Sequence, residues 1–194
     1  IIVVACNTAT TNAIAILREK FNIPFIGIEP ATKPAALTTK TGKIGVLATQ
    51  GTLKSDLFIA TSSKFKNNLT IIETEGKNLV NLIEAGKIAE TEILLQQYLN
   101  PMVKKGIDNL VLGCTHYPFL IPIIKKIIPN NIKIIDSGHA VARQTKKILM
   151  ENKLINDQHH KAKHIFYTNN DLAILDAFLK QLNLTNYSAQ QLYF

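Results

Sequence analysis

The strongest constraint on this chain is a rhythm: short, continuously apolar runs alternate with longer stretches of helical period. Ile44-Gly45-Val46-Leu47-Ala48 and Leu110-Val111-Leu112 carry no polar residue at any position. A strand of that kind has both faces covered, as in a parallel sheet flanked by helices. Strands are expected at 1–5, 23–28, 43–48, 69–72, 109–112, 132–135 and 163–167. Helices are expected at 10–20, 31–39, 53–64, 79–85, 90–103, 120–128, 139–151 and 172–182. This βαβα order is that of an α/β protein with right-handed crossovers.

The 194 residues admit one large domain or two small ones. Glu29-Pro30 and Lys33-Pro34 punctuate the exit from the second strand, and Asp136-Ser137-Gly138 ends the sixth. The stretch between them holds enough strands for a sheet of its own. Two α/β domains are therefore expected, 30–138 forming one and 1–29 with 139–194 the other.

Composition narrows the function classes. The net charge of +8 suits an anionic substrate, but the lysines are scattered and no recognition motif for nucleic acid is present, so no nucleic-acid partner is expected. No apolar run approaches the ~20 residues of a membrane helix. The start lacks the basic lead of a secretory signal and an initiator Met, and it falls inside an apolar run, which points to sequence upstream. Two cysteines are too few for a disulfide framework or a Cys-only zinc site and fit a reducing cytoplasm. No Gly-Lys-Ser/Thr phosphate loop is present, no lysine stands out as a Schiff-base residue, and no metal cluster is visible.

The two cysteines share a context. Val3-Val4-Ala5-Cys6-Asn7-Thr8 echoes Val111-Leu112-Gly113-Cys114-Thr115-His116: an apolar strand, a small residue, a cysteine, then hydrogen-bonding side chains. Cys6 follows a buried type of strand and precedes a helix that Thr8 or Thr10 can cap. Cys114 precedes a helix opening near Pro118. Both thiols are thus placed at carboxyl ends of strands and amino ends of helices, where open α/β sheets bind ligands and where a thiolate is favoured. Singly, each cysteine reads equally well as a small core residue. Together, opposed across a cleft, they suit proton removal from one face of a carbon and delivery to the other. His116 can assist Cys114 or simply hold its loop. His139 reads as structural or rim, and His159, His160 and His164 as solvated.

Cys6-Asn7-Thr8-Ala9-Thr10 and Gly113-Cys114-Thr115-His116-Tyr117-Pro118 strongly resemble the two signature motifs of bacterial glutamate racemases. Gly27-Ile28-Glu29-Pro30-Ala31, Gly45-Val46-Leu47-Ala48-Thr49-Gln50-Gly51-Thr52 and the 108-position cysteine separation also resemble that family. Related aspartate racemases typically carry an acidic residue where His116 stands. The resemblance implies two pseudo-symmetric, doubly wound domains with mostly parallel sheets and an active site in the cleft between them. It implies cofactor-independent interconversion of L- and D-glutamate, supplying D-glutamate to peptidoglycan synthesis in the cytoplasm, with a homodimer by analogy. Cys6 is then the base toward D-glutamate and Cys114 toward L-glutamate. Asn7, Thr8, Thr115 and His116 match substrate contacts, and Thr49 and Thr52 match a threonine pair that holds a carboxylate. Glu84 matches the acidic partner of His116, with Glu73 and Glu75 nearby. Glu84 reads equally as an exposed helix-end carboxylate, and Thr49 and Thr52 as helix caps.

The chain also departs from the family. The family's upstream segment, with a strand ending in Asp-Ser and a Tyr-Gly loop, has no counterpart, so the first domain is expected to be incomplete. Many relatives show Ala-Cys-Pro where this chain reads Thr74-Glu75-Gly76. The alternatives are racemisation of another acidic amino acid such as aspartate, and an inactive remnant that binds glutamate or a protein partner, as some family members bind DNA gyrase.

Overall fold

A computed structural model describes residues 1–66, 69–156, 162–182, 184 and 186–193. His159 and His160 fall outside them. The core is a four-stranded parallel sheet of order β4-β3-β5-β6, built from β3 (Lys43–Ala48), β4 (Thr70–Glu75), β5 (Asn109–Gly113) and β6 (Lys133–Ile135). Every residue of β5 and all but the first of β3 are buried. The period of two divides these strands between two cores. Leu47, Leu110 and Leu112 enter a large apolar cluster with α5 (Leu79–Glu84), α6 (Thr91–Lys104) and α7 (Ile121–Ile127). Ile44, Val46, Ala48 and Val111 pack on the opposite face with Ala35 of α2 (Thr32–Thr38) and Phe58 of α4 (Asp56–Lys66). Each such Leu or Ile contributes about 1.5–3 kcal/mol by leaving water.

Register sets the height at which each strand delivers its chain. Ala48 lies level with Gly113 and with Glu75, so Thr49, Gly76 and Cys114 leave the sheet along one edge. The short helix α3 (Gln50–Leu53) then starts above β3. The expected helix at 53–64 is broken at Lys54-Ser55, because the Ser55 hydroxyl accepts the Phe58 N–H (3.3 Å) and restarts the chain as α4.

Two further pairs of parallel strands flank this body. β1 (Ile2–Val4) pairs with β2 (Phe25–Gly27) around α1 (Asn7–Lys20). β7 (His164–Thr168) pairs with β8 (Tyr187–Gln191) around α9 (Leu172–Lys180). α8 (Gly138–Glu151) connects β6 to β7. Ser137, just before α8, donates its hydroxyl to the Glu29 carbonyl, so the two punctuation points of the sequence meet in space. Phe178 of α9 packs on Phe119 with ring centroids 5.0 Å apart.

Three expectations need correction. β1 is not a buried strand: Ile2 is 42% exposed, because among the described residues β1 pairs with β2 alone and has one helix against it. β8 was not expected, since Tyr187-Ser188-Ala189-Gln190-Gln191 has no apolar run and is held by backbone pairing to β7. α1 begins at Asn7 rather than residue 10, for a reason that belongs to the site.

Candidate functional site

At the end of β1 the chain turns into α1 at Cys6. Cys6 has extended backbone (φ −138°, ψ 122°), and its sulfur accepts the Ala9 N–H at 3.5 Å. The cysteine itself is the N-cap, and the helix starts at once. Thr8 and Thr10, expected as caps, point elsewhere. Thr10 Oγ1 donates to the Val4 carbonyl (3.0 Å) and accepts the Ile28 N–H (3.0 Å), stitching α1 to the ends of β1 and β2. Asn7 is buried, its side-chain nitrogen 3.5 Å from the Ile28 carbonyl. Cys6 is exposed.

On the other side β5 delivers Cys114, followed by half-buried Thr115 and His116 and a 3₁₀ turn at Tyr117–Leu120. Pro118 sits in that turn, so the expected helix opening is 3₁₀ first and α-helical only from Ile121. Cys114 is buried against Tyr117 and the larger core. Its sulfur lies 3.8 Å from His116 Nδ1, and His116 Nε2 lies 2.9 Å from Glu84 Oε1. A neutral imidazole that donates Nε2–H to Glu84 presents an Nδ1 lone pair to the thiol. Of the three carboxylates weighed from the sequence, Glu84 supplies this contact. Glu75 instead accepts from Gln50 Nε2 at 3.4 Å.

A helix amino end favours a thiolate. At Cys114 the balance runs the other way: its pKa is raised. Burial is the largest cause, and the negative Cys6 and Glu84 add to it. The backbone N–H groups of His116 and Tyr117 oppose it without prevailing. Cys114 is therefore a protonated thiol at neutral pH.

Three threonine hydroxyls close a triangle. Thr8 lies 2.8 Å from Thr49 and 3.1 Å from Thr52, and Thr49 lies 3.1 Å from Thr52. Thr49 occupies the N-cap position of α3 but makes no side-chain cap bond, so its hydroxyl is committed to the triangle. Thr8 comes from α1 and the other two from β3–α3, so the triangle joins the first cysteine motif to the end of β3, the strand paired with β5.

Two residues not singled out from the sequence also shape this region. Tyr117, fully buried, donates its hydroxyl to the Gly76 carbonyl at 3.2 Å. A Cβ at Gly76 would lie 2.2 Å from that hydroxyl oxygen, so the chain after β4 needs glycine there. The only sequence signal was Gly76 replacing the bulkier residue of many relatives. A cavity of about 370 Å³ is lined by Ile83, Glu84, Ile88, Ala173, Ile174 and Phe178. Neither cysteine borders it and its lining is mostly apolar, so the thiols mark the candidate site.

Residues 1–145 match the sequence model of the Asp/Glu/hydantoin racemases. The chain belongs to this family. It is 43% identical over 184 residues to a glutamate racemase of Ectopseudomonas mendocina, covering 93% of this chain and 70% of that protein. The glutamate racemase isoform RacE1 from Bacillus anthracis superposes with a TM-score of 0.83 at 32% identity, over 98% of this chain and 72% of that one. The Escherichia coli glutamate racemase in complex with L-glutamate and the activator UDP-MurNAc-ala superposes with a TM-score of 0.81 at 32% identity, over 97% and 73%. Matches to curated relatives span from 59% to 72% of those proteins' lengths. Both flanking strand pairs and the central parallel sheet thus lie within a family fold shared with solved glutamate racemases. No helix among the described residues is long and apolar enough to cross a membrane.

Proposed function

We propose that this chain carries a glutamate-racemising site in which glutamate lies between Cys6 and Cys114, without a cofactor. One observation supports the reading: the Thr8–Thr49–Thr52 triangle ties the helix start after Cys6 to the end of β3, level with Gly113 beside Cys114, whose sulfur is backed by a His116–Glu84 pair. The kinship to glutamate racemases supports the choice of substrate.

Cys6, as thiolate, takes the α-proton of D-glutamate. The protonated Cys114 gives its proton to the opposite face, and L-glutamate forms. Burial at Cys114 suits this role, because it keeps the donor loaded at neutral pH. In the reverse direction the roles exchange: the Cys114 thiolate takes the α-proton of L-glutamate and the Cys6 thiol gives its proton to the opposite face, with the His116–Glu84 pair beside Cys114. The carbanion is costly, and hydrogen-bond donors at the site must offset it. The threonine triangle opens to receive a substrate carboxylate, and Asn7 and Thr115 flank the thiols. On this reading 1–29 with 139–194 and 30–138 act as two lobes around the substrate. The chain serves in the cytoplasm as a source of D-glutamate for peptidoglycan.

Circular dichroism of D-glutamate incubated with this chain is the test. Decay of the signal is expected, slowed by ~10²–10⁴-fold or more in Cys114→Ala, which removes a general acid. Undiminished decay in that variant contradicts the assignment.

A further inference from the structure

Gly51 is half of a contact that the sequence motif does not explain. It is the second residue of α3, exposed, and not at a positive φ, so its backbone does not demand glycine. In a helix with ordinary dihedrals alanine is the more favourable residue. What excludes a side chain is Thr8. A Cβ at position 51 would lie 2.7 Å from Thr8 Cγ2, while Thr8 Oγ1 would be 3.6 Å away. Carbon atoms do not approach so closely, so one side must give.

Threonine has two heavy groups on Cβ, and its cheapest escape is rotation about χ1. Rotation carries the hydroxyl with the methyl. It takes Oγ1 away from Thr49 (2.8 Å) and Thr52 (3.1 Å) and opens the hydroxyl triangle before any ligand arrives.

We infer that Gly51 is a positioning residue for substrate: its missing side chain is the space that holds Thr8 in the rotamer aiming its hydroxyl at the carboxylate-binding threonines. This rests on the proposed reading that glutamate binds at this triangle. Gly51 touches neither substrate nor thiols, so its effect falls on KM for both enantiomers and leaves kcat nearly unchanged.

The contact also specifies its own rescue. The clash is with the γ2 methyl, which serine lacks while keeping the hydroxyl. Four proteins are compared: the unaltered chain, Gly51→Ala, Thr8→Ser as reference, and the double variant. Each is measured by racemisation kinetics in both directions, by glutamate titration and by thermal unfolding. Gly51→Ala is expected to raise KM on the order of tenfold, the weight of one hydrogen bond to a charged group. Its Tm should hold or rise, as helix propensity predicts. The double variant should return to the KM of Thr8→Ser.

If the unaltered chain neither binds nor racemises glutamate, the functional reading fails and this inference with it. If it does both and Gly51→Ala has the same KM, only the role of Gly51 fails. Equal damage in Gly51→Ala and in the double variant also overturns that role, because the fault then lies elsewhere than at the Thr8 methyl.

Discussion

At the residue scale, Cys114 and its neighbours show how environment sets chemistry. Two anions near a buried thiol raise its pKa, so removing either should lower it. Alkylation requires the thiolate. The labelling rate of Cys114, followed by peptide mass spectrometry, should therefore climb with a midpoint above that of a free thiol. The midpoint should move down in Cys6→Ala and in Glu84→Gln, giving faster labelling at a fixed pH near 8. An unmoved midpoint in both variants would mean that burial alone acts. The two directions of racemisation cannot be separated by pH through kcat/KM, since the enantiomers have equal energy and the ratio is fixed at one. Tyr117 tests the same pocket from its other side. Its pKa is raised strongly, by burial first and then by Cys114, Tyr98 and Glu75. Its neutral form thus contributes stability that is complete below the unfolded value of roughly 10 and is lost as pH rises above it. Tyr117→Phe should cost about 1 kcal/mol at neutral pH, from the lost bond to the Gly76 carbonyl, and should flatten the alkaline limb of Tm against pH.

At the element scale, caps and turns decide where strands hand over to helices. Asp108, just before β5, gathers the loop after α2. Its carboxylate accepts the Thr39 hydroxyl and the backbone N–H groups of Lys40 and Thr41. Burial pushes its pKa up, but these bonds outweigh it and the net shift is downward. A lowered carboxylate gives stability that is present above the unfolded value of about 3.9 and is lost as pH falls through the folded one. Asp108→Asn should cost on the order of 1 kcal/mol at pH 7 by denaturant unfolding and should reduce the loss on acidification. This scale also marks how much was legible in the sequence. β3 and β5 were readable because each is apolar on both faces, and the strand-then-cysteine echo located both ends of the candidate site. Cys6 as its own N-cap was not readable, since cysteine ranks low among capping residues and Thr8 and Thr10 are better ones. β8 was hidden because backbone pairing, with no apolar pattern, holds it. The rise in the Cys114 pKa was missed because helix-end position is visible in sequence while burial beneath Tyr117 is not. The His116–Glu84 contact needed three dimensions, with 32 positions separating the pair.

At the scale of the whole molecule, a central sheet carries β3, β5 and their switch to helices, while the smaller pairs β1–β2 and β7–β8 flank it. The division of labour is physical. The buried sheet delivers Thr49 and Cys114 at a common height, and the more exposed β1–α1 unit brings Thr8 to Thr49 and Thr52. The unit around β1 should accordingly be less protected than β3 and β5 in amide hydrogen exchange, because less apolar surface covers it. Two sulfurs working from opposite faces of one carbon leave a direct record in isotope content. Glutamate of one hand is incubated with the chain in heavy water, and both hands are isolated at low conversion and weighed. The newly formed enantiomer is expected to carry deuterium at the α-carbon while the recovered starting enantiomer remains protiated. Product that keeps its original hydrogen, or deuterium entering the starting enantiomer as fast as the product appears, would contradict the two-sulfur mechanism.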